Sequence, residues 1–172
     1  MVIDVSLVLS NPDRQVTALV PIEMEAFESG RGVYPISEKK DVDIAVSHAG
    51  KKKINLQAGI SLKLLIPCDR CLEPVEQKFE MQVLREIDVD KCETSEGEEV
   101  SYIQDSHIDV EELVRNEIFV NLPMKVLCSE DCKGICNRCG TNLNQMTCDC
   151  DTTELDPRMS KVLDIFNQFK EV

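Results

Sequence analysis

Apolar and polar residues alternate along a long segment in the middle of the chain. Every second residue of 54–66 is apolar: Ile54, Leu56, Ala58, Ile60, Leu62, Leu64 and Ile66. This period of two predicts a half-buried β-strand. Residues 42–46 alternate in the same way, with a turn predicted over residues 48–51. A third strand is predicted over residues 75–87. These segments should form an antiparallel meander with one face in solvent.

The N-terminal part of the chain is less regular. Its apolar residues Val2, Val5, Leu7 and Leu9 predict another strand, which the turn sequence of residues 11–13 ends. Residues 19–34 show no clear period. Gly30 and Gly32 predict a loop or bend in this segment.

A helix is predicted over about residues 109–120, after an acidic connection of residues 88–109 that we interpret as a solvated loop. Asp109 suits the N-cap position, where its carboxylate can accept from free backbone N–H groups. Glu111 and Glu112 fall in the first turn, where the helix dipole favours negative charge. Residues 121–123, Asn-Leu-Pro, should end the helix because a residue before proline is disfavoured in the α conformation.

Composition and charge narrow the function classes. Aromatic residues make up 4% of the chain and there is no tryptophan, so the core must consist mainly of aliphatic side chains. The formal net charge is -13, which disfavours indiscriminate binding to nucleic-acid backbones and suits basic protein partners. The sequence shows neither a secretory signal nor a membrane-spanning apolar run. A cytoplasmic location is therefore expected, where thiols stay reduced.

Eight of the nine cysteines occur in close pairs. Two thiolates on one short turn can reach a single ion about 2.3 Å away, and two such turns complete a tetrahedron. Gly140, directly after Cys139, suits a tight metal-binding turn because glycine tolerates a positive φ. The predicted ligands are therefore the four pairs Cys68 and Cys71, Cys128 and Cys132, Cys136 and Cys139, and Cys148 and Cys150.

Proximity in sequence divides the eight ligands into two sites. Cys136, Cys139, Cys148 and Cys150 would form a local site, and Cys68, Cys71, Cys128 and Cys132 would join the end of the long strand to the segment after the helix. Zinc suits four thiolates in tetrahedral geometry, although iron uses the same ligands. A single four-ligand site with spare thiols is the alternative to two zinc ions. A redox role for Cys68-Asp69-Arg70-Cys71 is disfavoured, since this motif opens no thioredoxin-like βαβ unit.

Other candidate chemistry is sparse. Cys92 is interpreted as a free thiol, and His48 and His107 as surface residues. The short basic clusters at residues 39–40 and 51–53 are interpreted as solvated turns, with contact to RNA phosphate as the alternative. No phosphate-binding glycine motif, serine elbow or spaced carboxylate motif supports an enzyme.

Several of these segments together resemble the YceD family of bacteria and plastids, the large ribosomal RNA subunit accumulation proteins. The resemblance rests on Cys68-Asp69-Arg70-Cys71-Leu72-Glu73-Pro74, on the helix sequence of residues 109–117, on Cys128 to Asn144 and on Asp156-Pro157-Arg158. It implies a role in the synthesis, processing or stability of 23S ribosomal RNA, with no established enzymatic activity. The family's cysteine positions match all eight predicted ligands.

We therefore expect an α+β protein: an antiparallel sheet with a following helix, a cysteine-rich zinc-knuckle module and a C-terminal helix over about residues 156–169. Residues 1–127 would form the sheet domain and residues 128–172 the zinc module, joined to the first domain by Cys68 and Cys71. The expected function is non-catalytic binding to a pre-ribosomal large subunit, a ribosomal protein or 23S ribosomal RNA, with no membrane and no small-molecule substrate. The alternative is a thiol- or zinc-dependent enzyme, either an oxidoreductase or an RNA-processing nuclease.

Overall fold

The computed structural model of the chain describes residues 1–89, 101–104, 106–150 and 162. The chain divides into two compact units. Met1–Pro67 and Pro74–Val126 form the first, called here the sheet unit, and Cys68–Glu73 and Leu127–Val172 form the second, called here the cysteine unit. The division into domains of residues 1–127 and 128–172 stays a prediction.

The described part of the sheet unit is mostly antiparallel β-structure with two helices. The strands are β1 (Val2–Asp4), β2 (Gln15–Val20), β3 (Ala26–Ser29), β4 (Gly32–Lys39), β5 (Val42–Gly50), β6 (Lys53–Pro67), β7 (Pro74–Asp88), β8 (Ile103–Gln104) and β9 (His107–Asp109). The helices are α1 (Ser6–Ser10) and α2 (Val110–Asn121).

Strand β6 lies at the centre of the larger sheet. This sheet has the order β2-β5-β6-β4-β3, and β7 pairs with β6 outside that path. All seven apolar residues of the alternating segment 54–66 are buried, with exposed fractions of 6% or less. The three strands predicted from the period of two, now β5, β6 and β7, are therefore confirmed. The turn between β5 and β6 lies at Lys51 and Lys52, later than predicted, because β5 continues to Gly50.

The strand predicted over residues 2–9 is wrong beyond Asp4. Helix α1 follows, and the Asp4 carboxylate accepts from the backbone N–H of Ser6 at 2.8 Å and from its hydroxyl at 2.6 Å. Val5 and Val8 are buried with no exposed surface, a spacing of three that fits one face of a helix, whereas Leu7 is exposed. A period of two and a helical face are hard to distinguish in so short a segment.

The irregular segment of residues 19–34 forms part of β2, the strand β3 and the start of β4. Strands β3 and β4 pair antiparallel from Ala26↔Pro35 to Ser29↔Gly32, with the turn at residues 30–31. This confirms the predicted bend. Within the segment, Val20, Ile22, Phe27 and Tyr34 contribute buried side chains to the core.

Helix α2 follows the small sheet β1-β9-β8. Its N-cap is Asp109, whose carboxylate accepts from the backbone N–H groups of Glu111 at 3.0 Å and Glu112 at 3.3 Å. Leu113, Val114 and Ile118 are buried without exposed surface. The predicted cap, first turn and C-terminal end of this helix are confirmed. The C-terminal helix predicted over residues 156–169 lies outside the described residues, apart from Val162. Residues 90–100 of the acidic connection, which include Cys92, also lie outside the described residues.

Candidate metal centres

The structure brings the eight paired cysteines into two groups of four within the cysteine unit. The first cluster is Cys68, Cys71, Cys128 and Cys132, and the second cluster is Cys136, Cys139, Cys148 and Cys150. Within each cluster all four Sγ atoms lie within 4.8 Å of one another. This is the grouping that the sequence spacing predicts.

The sulfur spacing in the first cluster fits a tetrahedral metal ion. Sulfurs bound to one zinc at about 2.3 Å in a tetrahedron lie about 3.8 Å apart. The Sγ atoms of Cys68 and Cys132 are 3.8 Å apart, and those of Cys71 and Cys128 are 3.5 Å apart. The residues present therefore match the ligand type, number and spacing of a structural four-cysteine site.

Burial in the described cysteine unit also points to a metal. Its buried apolar residues are Cys68, Cys71, Cys132 and Cys136, with no buried aliphatic or aromatic side chain among the described residues. Apart from turns, its regular structure there is one isolated bridge between Ile135 and Asn142. A unit without an aliphatic core needs another source of stability, and in small domains a bound metal commonly supplies it.

Each cluster begins with the same tight turn, which we call a cysteine knuckle. The sequences are Cys68-Asp69-Arg70-Cys71 and Cys136-Asn137-Arg138-Cys139. In both knuckles the residue after the second cysteine donates its backbone N–H to the carbonyl of the first, at 2.9 Å: Leu72 to Cys68 and Gly140 to Cys136. In both, the first cysteine's N–H donates at 2.8 Å to a carbonyl five residues later, that of Glu73 or Thr141.

The two knuckles share a backbone conformation as well as hydrogen bonds. Leu72 has a φ of 63° and Gly140 a φ of 73°, both in the left-handed region. Glycine adopts this region freely, whereas a leucine there is strained. The sequence predicts a positive φ at Gly140 but gives no sign that Leu72 takes the same conformation. The sequence alone therefore does not reveal the knuckle repeat, since the two copies share only the pattern Cys-x-Arg-Cys.

Arg70 holds the two loops of the first cluster together. Its backbone N–H donates to the Cys68 sulfur at 3.5 Å, and its guanidinium donates to the Cys132 carbonyl at 2.8 Å. Its own carbonyl accepts from the N–H of Ile135 at 3.0 Å. Arg70 therefore holds in place the loops that carry the ligands, and its backbone N–H points at one of the ligand sulfurs.

Asn144 connects the two clusters through hydrogen bonds. It lies between the two cysteine pairs of the second cluster, yet its side-chain amide donates to the Cys132 sulfur of the first cluster at 3.3 Å. Its side-chain oxygen accepts from the N–H of Lys133 at 2.8 Å. Hydrogen bonds to a sulfur ligand stabilise its ionised form and orient it. The sequence suggests Asn144 only as a loop residue, because its sulfur partner is twelve residues away.

The thiols of the first cluster have strongly separated pKa values. Burial opposes ionisation of Cys68 more than any other single cause, but backbone N–H groups of Cys71, Arg70 and Cys128 point at its sulfur and together lower its pKa to about 6. For Cys71 the N–H of Glu73 lowers the pKa most, yet burial and the neighbouring sulfurs outweigh it and raise the pKa to about 12.

The second cluster repeats this separation. The Thr141 hydroxyl and N–H lower the pKa of Cys139 to about 6, whereas the Cys139 sulfur and burial raise the pKa of Cys150 to about 12. Across both clusters, the pKa is lowered for Cys68, Cys132, Cys136 and Cys139. It is raised for Cys71, Cys128, Cys148 and Cys150.

Metal binding at pH 7 should therefore release at least four protons per chain, two from each cluster. The four thiols with raised pKa values are protonated at this pH, and a thiol must lose its proton to ligate a metal. Metal affinity should accordingly rise with pH. Titration of zinc into reduced, metal-free protein with a pH indicator in weak buffer measures the release. Fewer than four protons at full loading would contradict the assignment of all eight ligands.

Two glycines in the cysteine unit provide a matched pair of substitutions. Gly134 has a φ of 78°, and a Cβ there would lie 3.0 Å from the carbonyl oxygen of Arg70, whereas a Cβ on Gly140 would meet nothing within 4 Å. Gly140→Ala should cost about 1–2 kcal/mol from left-handed backbone strain alone. Gly134→Ala carries the same strain plus the contact and should cost more. Thermal unfolding of the metal-loaded variants measures the difference, and equal losses would show that the contact relaxes freely.

The histidines and basic clusters singled out in the sequence belong to the sheet unit. His48 is half-buried, and its Nδ1 lies 3.1 Å from the carbonyl oxygen of Val8, so it is not the surface residue predicted. His107 pairs with Asp4 in the register of β9 and β1. In the basic cluster of residues 51–53, Lys53 forms an ion pair with Glu86 at 2.8 Å. None of the described helices has the length and apolar content that crossing a membrane requires.

An antiparallel sheet combined with two four-cysteine clusters defines a protein with candidate structural metal centres. The family model for the large ribosomal RNA subunit accumulation protein YceD matches residues 34–166. The chain belongs to the YceD family, as the resemblance in its motifs implied.

Curated relatives extend this assignment. An uncharacterized protein of Bacillus subtilis, YlbN, is 26% identical over 142 residues, which are 82% of this chain and 80% of YlbN. The large ribosomal RNA subunit accumulation protein YCED homolog 1, chloroplastic, of Arabidopsis thaliana is 26% identical over 72% of this chain and 47% of its own length. An uncharacterized protein of Mycobacterium tuberculosis is 31% identical over 57% of this chain and 48% of its own length. The chain thus spans about half of the plant and mycobacterial relatives. No solved structure matches it significantly.

Proposed function

We propose that the protein is a non-catalytic factor for the accumulation of 23S ribosomal RNA, which acts by binding during assembly of the large ribosomal subunit. Membership of the YceD family, together with the name of the Arabidopsis relative, supports a ribosome-related role. The observation that carries the binding mechanism is the pair of closed four-cysteine clusters. Four protein ligands on a tetrahedral ion leave no position for a substrate or an activated water.

Zinc is the metal we assign to both clusters. Cys68, Cys71, Cys128 and Cys132 would hold one ion and Cys136, Cys139, Cys148 and Cys150 the other. Four thiolates at tetrahedral spacing suit zinc, which has no redox chemistry of its own. The ions would supply rigidity to the cysteine unit, while Arg70 and Asn144 orient the loops that carry the ligands.

The partner we favour is a basic protein of the large subunit or its precursor particle. The chain carries 32 acidic residues against 19 basic residues, so its net charge opposes binding to naked RNA. Ribosomal proteins are as a class strongly basic and satisfy the charge requirement. The cytoplasm is the compartment where this partner is assembled in bacteria.

Depletion and complementation test the proposal. Cells that lose the chain should show a lowered ratio of 23S to 16S ribosomal RNA, restored by the intact gene. Cys68→Ser, which breaks the first cluster, should fail to restore the ratio, whereas Cys92→Ser should restore it. Normal 23S levels after depletion would overturn the proposal. An RNA-cleavage assay with purified protein and magnesium addresses the enzymatic alternative, and cleavage that survives further purification would replace the binding mechanism.

A further inference from the structure

The two cysteine pairs of the second cluster are joined by a loop that is hydrogen-bonded to the first cluster. This loop comprises residues 140–147 and is called here the connecting loop. At its centre, the side-chain amide of Asn144 donates to the Cys132 sulfur at 3.3 Å. The backbone N–H of Leu143 donates to the carbonyl of Gly134, two residues after Cys132, at 2.9 Å. The segment between the ligands of one site is therefore bonded to a ligand of the other site.

The connecting loop also bonds to the chain beside the first knuckle. The side-chain amides of Asn142 and Gln145 donate to one carboxylate oxygen of Glu73, at 3.2 Å and 3.1 Å. Ile135, which forms an isolated bridge with Asn142, donates its backbone N–H to the carbonyl of Arg70 at 3.0 Å. The loop thus reaches both of the segments that carry ligands of the first cluster.

Ordering the connecting loop costs conformational entropy that its own packing does not offset. Its residues are exposed or half-buried, and no aliphatic or aromatic side chain is buried in the described part of the cysteine unit. An ion at the second cluster would hold both ends of the loop. An ion at the first cluster would hold the sulfur and the segments to which the loop bonds. Each ion would therefore order part of what the other needs, which is a source of positive coupling.

We propose that the connecting loop couples the two metal sites, so that an ion at either cluster raises the affinity of the other, with Asn144 as the positioning residue between them. The inference rests on the metal occupancy proposed above and not on the role in ribosomal RNA accumulation. Linkage makes the coupling equal in both directions. The cysteine unit would then gain or lose its two ions largely together.

Three zinc affinities measure the coupling. The double variant Cys148→Ser, Cys150→Ser leaves the first cluster as the only complete site. The double variant Cys68→Ser, Cys71→Ser leaves the second cluster and keeps the Cys132 sulfur. The coupling factor is the overall constant for binding two ions to the wild type, divided by the product of the two single-site constants. Independent sites give a factor of one, whereas a factor of about five or more is expected, from the usual range for coupled sites.

Asn144→Asp tests the positioning role. The substitution keeps an oxygen for the N–H of Lys133 but removes the N–H that is donated to sulfur. The coupling factor, measured with the same site-removal substitutions, should fall by about two- to tenfold, the net contribution of one hydrogen bond. Asn137→Asp is the matched control, since Asn137 is an exposed asparagine of the second knuckle, and it should leave the factor unchanged. A merely structural role would lower the single-site constants without changing the factor.

Partial removal of zinc provides a second measurement that needs no broken site. A chelator strips part of the zinc from the wild type and from the two aspartate variants, and native mass spectrometry counts chains with zero, one or two ions. Coupling makes the one-ion form scarce. Asn144→Asp should raise the share of one-ion chains, whereas Asn137→Asp should match the wild type.

The outcomes separate this inference from the proposed function. A coupling factor near one, or equal shares of one-ion chains in all three proteins, would overturn the coupling and leave two independent metal centres. A factor that Asn144→Asp leaves unchanged would overturn the role assigned to Asn144. Normal 23S levels after depletion would remove the proposed function and leave the measured coupling intact.

Discussion

A Cys68→Ser variant is expected to lose the metal of the first cluster and, with it, the fold of the cysteine unit. Cys68 has no exposed surface, and its sulfur accepts from the backbone N–H groups of Arg70 at 3.5 Å and Cys128 at 3.4 Å. A serine hydroxyl is a poor ligand for zinc and would leave a buried site with three thiols. Structural zinc contributes about 10–16 kcal/mol in small zinc modules, so this loss exceeds what the described unit can otherwise supply.

Native mass spectrometry and hydrogen exchange measure this effect. The variant should bind fewer metal ions than the wild type, and residues 127–134 should lose protection. Cys150→Ser, in the second cluster, should affect residues 136–150 first. Cys92→Ser is the control and should keep the wild-type metal content and exchange pattern. A Cys68→Ser protein with unchanged metal content and unchanged protection would contradict a structural role for the first cluster.

Arg85→Ala should destabilise the sheet unit by about 2–4 kcal/mol, somewhat less than the cost of breaking a fully buried ion pair, because the Arg85 side chain is 38% exposed. The Arg85 guanidinium donates to the carboxylate of Glu117 on α2 at 2.6 Å and to the hydroxyl of Tyr102 at 3.3 Å. Glu117 is 7% exposed and is the buried charged residue among those the structure describes. Removing Arg85 would leave the Glu117 carboxylate as an uncompensated charge on the buried face of α2.

Chemical denaturation monitored by circular dichroism measures the loss. The double variant Arg85→Ala with Glu117→Gln should recover part of the stability, because the glutamine carries no charge to compensate. Arg115→Ala is a surface control: Arg115 meets Glu112 at 3.5 Å with both side chains well exposed, and its loss should cost well under 1 kcal/mol. Equal destabilisation by Arg85→Ala and Arg115→Ala would show that the buried pair contributes no more than a surface pair.

The larger part of the sheet could be predicted because its strongest signals are local. The period of two in residues 54–66 requires only that one face be buried, and the Asp109 cap requires only a carboxylate before an apolar helix. Strands β2 to β4 could not be predicted in the same way. They are short, Pro35 lies within β4, and their pairing with β5 and β6 depends on contacts far along the chain.

The grouping of the cysteines could also be predicted, since short spacings restrict which sulfurs can meet. The hydrogen bonds that hold the cysteine loops in place could not be predicted. Arg70 acts on carbonyls of residues 130 and 132, and Asn144 acts on a sulfur of the other cluster. Neither partner is visible from spacing. The left-handed conformation of Leu72 follows from closing the knuckle hydrogen bonds, against the residue's own preference.

Metal content with thiol protection tests the central claim most directly. The protein, purified under reducing conditions without added metal, should carry about two zinc ions per chain, matching two clusters of four thiolates. Eight of the nine cysteines should resist alkylation until a chelator or mercurial releases the metal. Protein without bound metal whose eight paired thiols react at once would contradict the metal centres and return the cysteine pairs to the redox interpretation.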